Sequence, residues 1–134
     1  FVANVDFKVV KVFFAYSNDK GLNSAPLNNA TPLPYGKVFR PSLRGDDTLV
    51  GVTIPVGPAG TIMTSYIRKN DKTALNQDAA QYAVGYVHAL SKRTSAYTSY
   101  GMIDNRNGAG YTVGNNAETG SGDRAFNIGL RHTF

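Results

Sequence analysis

The clearest alternation in the chain runs from Ala80 to Leu90, with Tyr82, Val84, Tyr86 and Leu90 in one phase and Gln81, Ala83, Gly85 and Ala89 in the other. Successive side chains of a strand point to opposite faces, so a period of two predicts a strand with one greasy face. Five further stretches read the same way. Val5–Ser17 is predicted as one long strand, with Val10, Val12, Phe14 and Tyr16 opposing Lys11, Phe13 and Ala15; its phases are not cleanly separated before Val10. Thr48–Val56 places Val50, Val52, Ile54 and Val56 together. Thr61–Asn70 sets Ile62, Thr64 and Tyr66 against Met63, Ser65 and Ile67, and Ser95–Asn105 sets Ala96, Thr98, Tyr100 and Met102 against Tyr97, Ser99 and Gly101. In Arg124–Phe134, Phe126, Ile128, Leu130, His132 and Phe134 alternate with Ala125, Asn127, Gly129, Arg131 and Thr133.

The connections alternate too. Asn18–Asp47, with Pro26, Pro32, Pro34 and Pro41, is long and polar and cannot be a central strand. Gly57–Gly60 is a turn by its residue types, Asp71–Ala79 a medium loop, Ser91–Thr94 a short turn, and Arg106–Asp123 a second long, glycine- and asparagine-rich loop. Short turns on one side and long loops on the other are the pattern of bacterial outer-membrane barrels, with the turns periplasmic. The carboxy-terminus then lies on the periplasmic side. Tyr16, Tyr66, Tyr82 and Phe126 fall near the loop ends of their strands on the apolar phase, with Tyr100 somewhat deeper. That is the expected position of an aromatic girdle at a lipid–water boundary.

Composition narrows the reading a little. The 134 residues suffice for one modest domain, and glycine, proline, tyrosine and phenylalanine favour strands and turns over helices. There is no cysteine, hence no disulfide or thiolate metal site. No run of eighteen or so apolar residues predicts a membrane helix, and the mean hydropathy of −0.25 does not exclude a barrel, whose lumen-facing residues dilute the lipid-facing ones. The net charge of +5 raises the question of nucleic acid, but the basic residues stand singly or in pairs (Arg68–Lys69, Lys92–Arg93), without the dense patch that phosphate tracking uses. Phe1–Val10 lacks the basic start and apolar core of a signal peptide, so either processing has removed one or the chain begins inside a longer protein.

The candidates for chemistry have plain readings. Asp46 and Asp47 are adjacent and point apart on a strand, which suits a solvated loop end better than an acid–base pair. His88 and His132 fall on the apolar phase near the turn ends, where two interfacial histidines are expected rather than a metal site. Gly108–Gly110 and Gly120–Gly122 precede no helix start and read as surface loop, not as a phosphate cradle. Asn29–Ala30–Thr31 matches a glycosylation triplet, which carries no weight if the chain is the bacterial barrel that its loop pattern predicts. No catalytic group, cofactor or metal is expected.

A polar wall is the chemistry a passive pore needs. The polar phase offers Lys11, Ser65, Lys69, Gln81, Ser99, Asn127 and Arg131 as pore-lining residues. Lys11 is taken as mid-strand and inward-facing, because a lipid-facing charge at mid-height costs about 2–4 kcal/mol; Lys69 and Arg131 fit a wetted rim equally well. Cations among these residues would favour anionic solutes. Two other readings stay open: a non-conducting surface barrel acting in adhesion or receptor contact through its loops, and a small soluble barrel that binds an apolar ligand.

The ending FNIGLRHTF is similar to the carboxy-terminal signal of outer-membrane β-barrel proteins, in which the terminal Phe and the alternate residues before it are read by the insertion machinery. On Phe126, Ile128, Leu130, His132 and Phe134, that role is what the resemblance implies. YAVGYVHALSKRTSAYTSYG, the glycine-rich loop and FNIGLRHTF, preceded by LVGVTIPVGPAGTI and SYIRKND, resemble in that order the general porins of β-proteobacteria. The resemblance covers Val5–Phe134. It implies an all-β antiparallel transmembrane barrel of sixteen strands, a strand number typical of porins, of which this chain would hold about the last six. It also implies a homotrimer in outer-membrane lipid, passing small hydrophilic solutes past an inward-folded constriction loop that would precede Phe1. Six strands cannot enclose an aqueous channel, so the chain reads as the carboxy-terminal portion of one barrel domain.

Overall fold

The computed structural model describes residues 1–20, 44–113 and 122–134. Among them lie seven strands: β1 (Val2–Asp6), β2 (Lys11–Lys20), β3 (Arg44–Val56), β4 (Gly60–Asp71), β5 (Ala79–Ala89), β6 (Thr94–Asn105) and β7 (Arg124–His132). They form one antiparallel meander in chain order, each strand bonded to the next and both outer edges open.

One strand more is present than the sequence pattern predicts, and Val5–Ser17 is the place. The chain reverses at Phe7–Val10, where the Phe7 N–H donates to the Val10 carbonyl at 2.9 Å and the Lys8 N–H to the Asp6 carboxylate at 2.8 Å. Lys8 adopts a φ of 71°. This turn carries neither glycine nor proline; an aspartate bonding the backbone two residues on makes it instead. The β-branched and aromatic residues on both sides hide it from a periodicity reading. As a result Lys11 is the first residue of β2, beside the turn, and not mid-strand.

The strands also run further at the loop side than the greasy pattern does. β2 continues to Lys20 and β3 starts at Arg44, with Ser17 opposite Asp47 and Lys20 opposite Arg44. Apolar alternation marks only where one face is greasy, whereas backbone pairing continues where both faces are wet. The predicted loop Asn18–Asp47 is therefore shorter at both ends. Its four prolines, the Asn29–Thr31 triplet and Gly120–Ser121 lie outside the described residues.

Among the described residues the apolar face has no interior to pack into. Directly opposed residues share a face, so the pairings trace it row by row. One row holds Val12, Val52, Thr64, Val84, Tyr100 and Phe126, and the next toward the short turns holds Ile54, Ile62, Tyr86, Thr98 and Ile128. Neither contains a charge. Val84 is 50% exposed, Ile128 76% and Leu130 72%; a soluble sandwich would bury all three. The threonine hydroxyls in these rows bond the backbone, Thr64 to the Ala83 carbonyl at 3.1 Å and Thr98 to the Asn127 carbonyl at 3.0 Å. Polar groups facing hydrocarbon must be satisfied internally in this way. Charges on this face stand at its loop side: Arg68 and Asp104 share a row with Tyr16, and Asp46 pairs with Lys72 and Asn18.

The aromatics descend across the sheet. Tyr66 opposes Tyr82, with ring centroids 5.1 Å apart, while Tyr100 opposes Phe126 one row nearer the short turns. Tyr16, on β2, stands one row nearer the loops. The turn ends of the strands step the same way, by about one residue per strand, which is the stagger that a tilt of about 40° demands of a level belt.

The polar face and its outer mouth

The other face contains every residue assigned to the pore wall from sequence. Lys11 stands in line with Thr53, Met63, Gly85, Ser99 and Asn127. The next row toward the loops is Phe13, Gly51, Ser65, Ala83, Gly101 and Ala125, a trough of small side chains closed by one aromatic. Beyond it come Gln81 among Leu49, Ile67 and Ile103, and then Lys69 beside Asp47 and Ala79. Arg131 opposes Ser95 at the turn side. The seven candidates thus share one face and spread over its full height, rather than converging.

Their charges differ in setting. The Lys69 ammonium lies 3.1 Å from the Asp47 carboxylate at the loop end. Lys11 lies 3.6 Å from Asp6 across the first hairpin, both largely exposed. Asp46 and Asp47, adjacent in sequence, reach opposite faces toward different lysines. His88 and His132 sit on the apolar face as expected, their Nδ1 atoms 2.9 Å from the Tyr86 and Thr94 hydroxyls. Among the described residues no group of three His, Cys, Asp or Glu could hold a metal ion.

The loop-side mouth is where sequence reading missed most. Asp71, at the end of β4 and 3% exposed, accepts bonds from the Thr73 N–H and hydroxyl at 2.9 Å and from the Gln77 N–H at 3.0 Å. It holds residues 72–78 in a tight reversal. After β6 the segment Arg106–Val113 does not leave the barrel wall as a surface loop. Asn107 and Gly108 take positive φ values of 50° and 77° and turn it over the polar face. Both residue types tolerate that region, so the Asn-Gly pair was a legible signal. Ala109 is 1% exposed, and Ile103 of the polar face 7%. Tyr111 comes to stand near Asp47 and Asp71; burial first, and those carboxylates second, push its phenol up to about 12.

Phe126, Ile128, Leu130 and His132 alternate along the apolar face of β7 from its loop end to its turn end, where the Thr133 N–H still donates to the Arg93 carbonyl at 2.9 Å. The Phe134 ring meets the His132 ring edge-on at 4.8 Å and is otherwise exposed.

Comparison with known proteins agrees with this geometry. The Gram-negative porin family matches residues 1–109. Outer membrane porin protein 32 of Delftia acidovorans is 30% identical over 72% of this chain and 30% of its own length. An outer membrane porin protein of Bordetella pertussis is 26% identical over 96% of this chain and 34% of its own. Among solved structures, an anion-selective porin from Comamonas acidovorans superimposes with a TM-score of 0.66 at 24% identity, covering 99% of this chain and 37% of that one. The chain spans about a third of the length of these relatives. On its matched residues and on its two-faced antiparallel sheet, the chain belongs to the Gram-negative porin family and to the bacterial outer membrane.

Proposed function

We propose that this chain forms part of the wall of a passive diffusion channel for small hydrophilic solutes and ions, completed by further strands on its two open edges and working as a homotrimer. The observation that supports this most is the segregation of the two faces: charge-free rows on one side, and a small-residue and polar surface on the other. A channel wall needs that contrast and no catalytic group. In this reading Lys11, Ser65, Lys69, Gln81, Ser99, Asn127 and Arg131 meet water. Tyr16, Tyr66, Tyr82, Tyr100 and Phe126 form the outer girdle, and β7 with Phe134 carries the assembly signal.

A preference for anions is the finer part of the proposal. Lys69 is neutralised by Asp47, so the bias rests on the turn-side cations. Arg131 has no ion-pair partner among the described residues, and Lys11 has the loose contact with Asp6 and stands 6.0 Å from the centre of the Phe13 ring. The solved neighbour named for anion selectivity is in keeping with this. Planar-bilayer conductance of the full-length protein tests the reading. Folded trimers that open no channel would refute it, and Lys11→Glu should move the reversal potential toward cations.

A further inference from the structure

We propose that Phe13, Met63 and Tyr97 form a level apolar belt on the channel wall, and that with Lys11 and Arg131 this belt is a binding site for small aromatic carboxylates. The proposal rests on the channel reading above and names one class of solute for it. The three side chains belong to the polar face, yet they are 37%, 41% and 41% exposed. Each is the direct ladder partner of a glycine on the next strand and lies across it: Phe13 over Gly51, Met63 over Gly85 and Tyr97 over Gly129. A Cβ added at those glycines would stand 3.9 Å from Phe13 Cδ2, 3.8 Å from Met63 Cε and 2.6 Å from the Tyr97 hydroxyl. The glycines let the side chains lie down, so the belt has low relief.

Their heights agree. The strands β2, β4 and β6 all run from the turn side to the loop side. Phe13 stands three residues to the turn side of Tyr16, Met63 three from Tyr66, and Tyr97 three from Tyr100. The odd offset puts the belt on the face opposite the girdle, and the equal offset keeps it parallel to the girdle, roughly 10 Å further along the strands. Covering a bare glycine accounts for the posture of each side chain. It does not set three of them at one height with open faces toward water.

Charge decides what such a belt can hold. Lys11 lies two residues beyond Phe13 toward the turns and Arg131 two beyond Gly129, both on the polar face. The Lys11 ammonium is within 6.0 Å of the Phe13 ring centre. Among the described residues the one carboxylate of this face at that height is Asp6, 3.6 Å from Lys11. The apolar band is thus edged by cations on its turn side. A benzoate-like anion matches both parts, its ring stacked on Phe13 or Tyr97 and its carboxylate turned to Lys11 or Arg131. Acetate can meet only the cations, and benzylammonium only the belt.

The test uses the full-length trimer in a planar bilayer, where each organic ion is read by the concentration that halves the chloride current. Benzoate should do so at a concentration about five-fold or more below that of acetate, the gain a ring contact supplies. Benzylammonium should be weaker than benzoate. The double variant Phe13→Ser, Met63→Ser should bring the benzoate value up to that of acetate. Tyr97→Phe keeps a ring and should preserve the preference. Should the serine pair fail to fold, Lys11→Gln with Arg131→Gln removes the cationic edge and should abolish the advantage of benzoate over benzylammonium. Benzoate no stronger than acetate, benzylammonium equal to benzoate in the wild type, or a preference that survives these substitutions overturns the belt while the chloride current upholds the channel. Folded trimers without a chloride current overturn the channel reading and the belt with it.

Discussion

The Tyr97 ring of β6 lies across the backbone of Gly129 on β7. A Cβ added at Gly129 would stand 2.6 Å from the Tyr97 hydroxyl and 2.7 Å from its Cζ. Tyr97 and Gly129 are direct partners in the ladder, so the aromatic covers a position that has no side chain of its own. Gly129→Ala should force the ring to move and cost about 1–3 kcal/mol, the usual range for overpacking. Tyr97→Ala in the same background should recover part of the loss. A double-mutant cycle by urea unfolding in detergent micelles measures the coupling; strictly additive values would show that the ring is free to leave.

Ile128 sits in a charge-free row of the apolar face and is 76% exposed in the sheet. Ile128→Arg should therefore cost about 2–4 kcal/mol when the barrel is folded into lipid vesicles, as a basic residue near the bilayer midplane does. Ser99→Arg, one residue from the same row but on the polar face, should cost far less. Equal tolerance of the two would mean that the greasy face does not meet hydrocarbon.

Lys11 and Asp6 face each other across the first hairpin at 3.6 Å, and both are well exposed. Solvent screening makes the pair nearly neutral for stability. On the channel reading proposed above, the pair acts instead on permeating ions. Asp6→Asn should shift the reversal potential toward anions and Lys11→Glu toward cations, with unfolding midpoints unchanged within error. Shifts of the same sign for both variants would place the pair outside the ion path.

Tyr111 should titrate late, at about 12 against about 10 for an ordinary tyrosine. A raised pKa means that the folded state holds the proton more tightly. The contribution of this phenol to stability is complete below pH ~10 and is lost as pH climbs from there to about 12. Phenolate absorbance of the folded protein should show one late component that disappears in Tyr111→Phe. Because Asp71 and Asp47 both raise this pKa, Asp47→Asn should bring the late component down.

Phe134 makes one ring contact and lies beyond the end of β7. Deleting it should leave refolding in detergent almost unchanged and should lower the yield of barrel inserted in cells. A drop in both would make the residue structural instead of a signal read by the assembly machinery.

Most of the fold was legible because a two-faced strand writes its geometry into alternate residues. Tyr82, Val84 and Tyr86 against Gln81, Ala83 and Gly85 need no partner to reveal which side is greasy. The seven polar-wall residues came out on one face for the same reason, since a one-residue error in register would have thrown some of them onto the other. Where the pattern was not hydrophobic, the reading failed. The turn at Phe7–Val10 rests on one aspartate bonding the backbone, and nothing in the apolar phase records it.

The sequence by itself determined the five strands β3 to β7, the short and longer connections between them, and the identity of each face, because these depend on neighbours two residues apart. Only the tertiary structure decided how far β2 and β3 pair beyond the greasy band, that Lys11 stands beside a turn, and that Arg106–Val113 lies over the wall. Those outcomes depend on residues far apart in the chain meeting across the sheet: Asn105 with Tyr111, Gln77 with Asn107, Val113 with the bare backbone of Gly101. A hydrogen bond between loops and a vacancy at a glycine leave no period behind them.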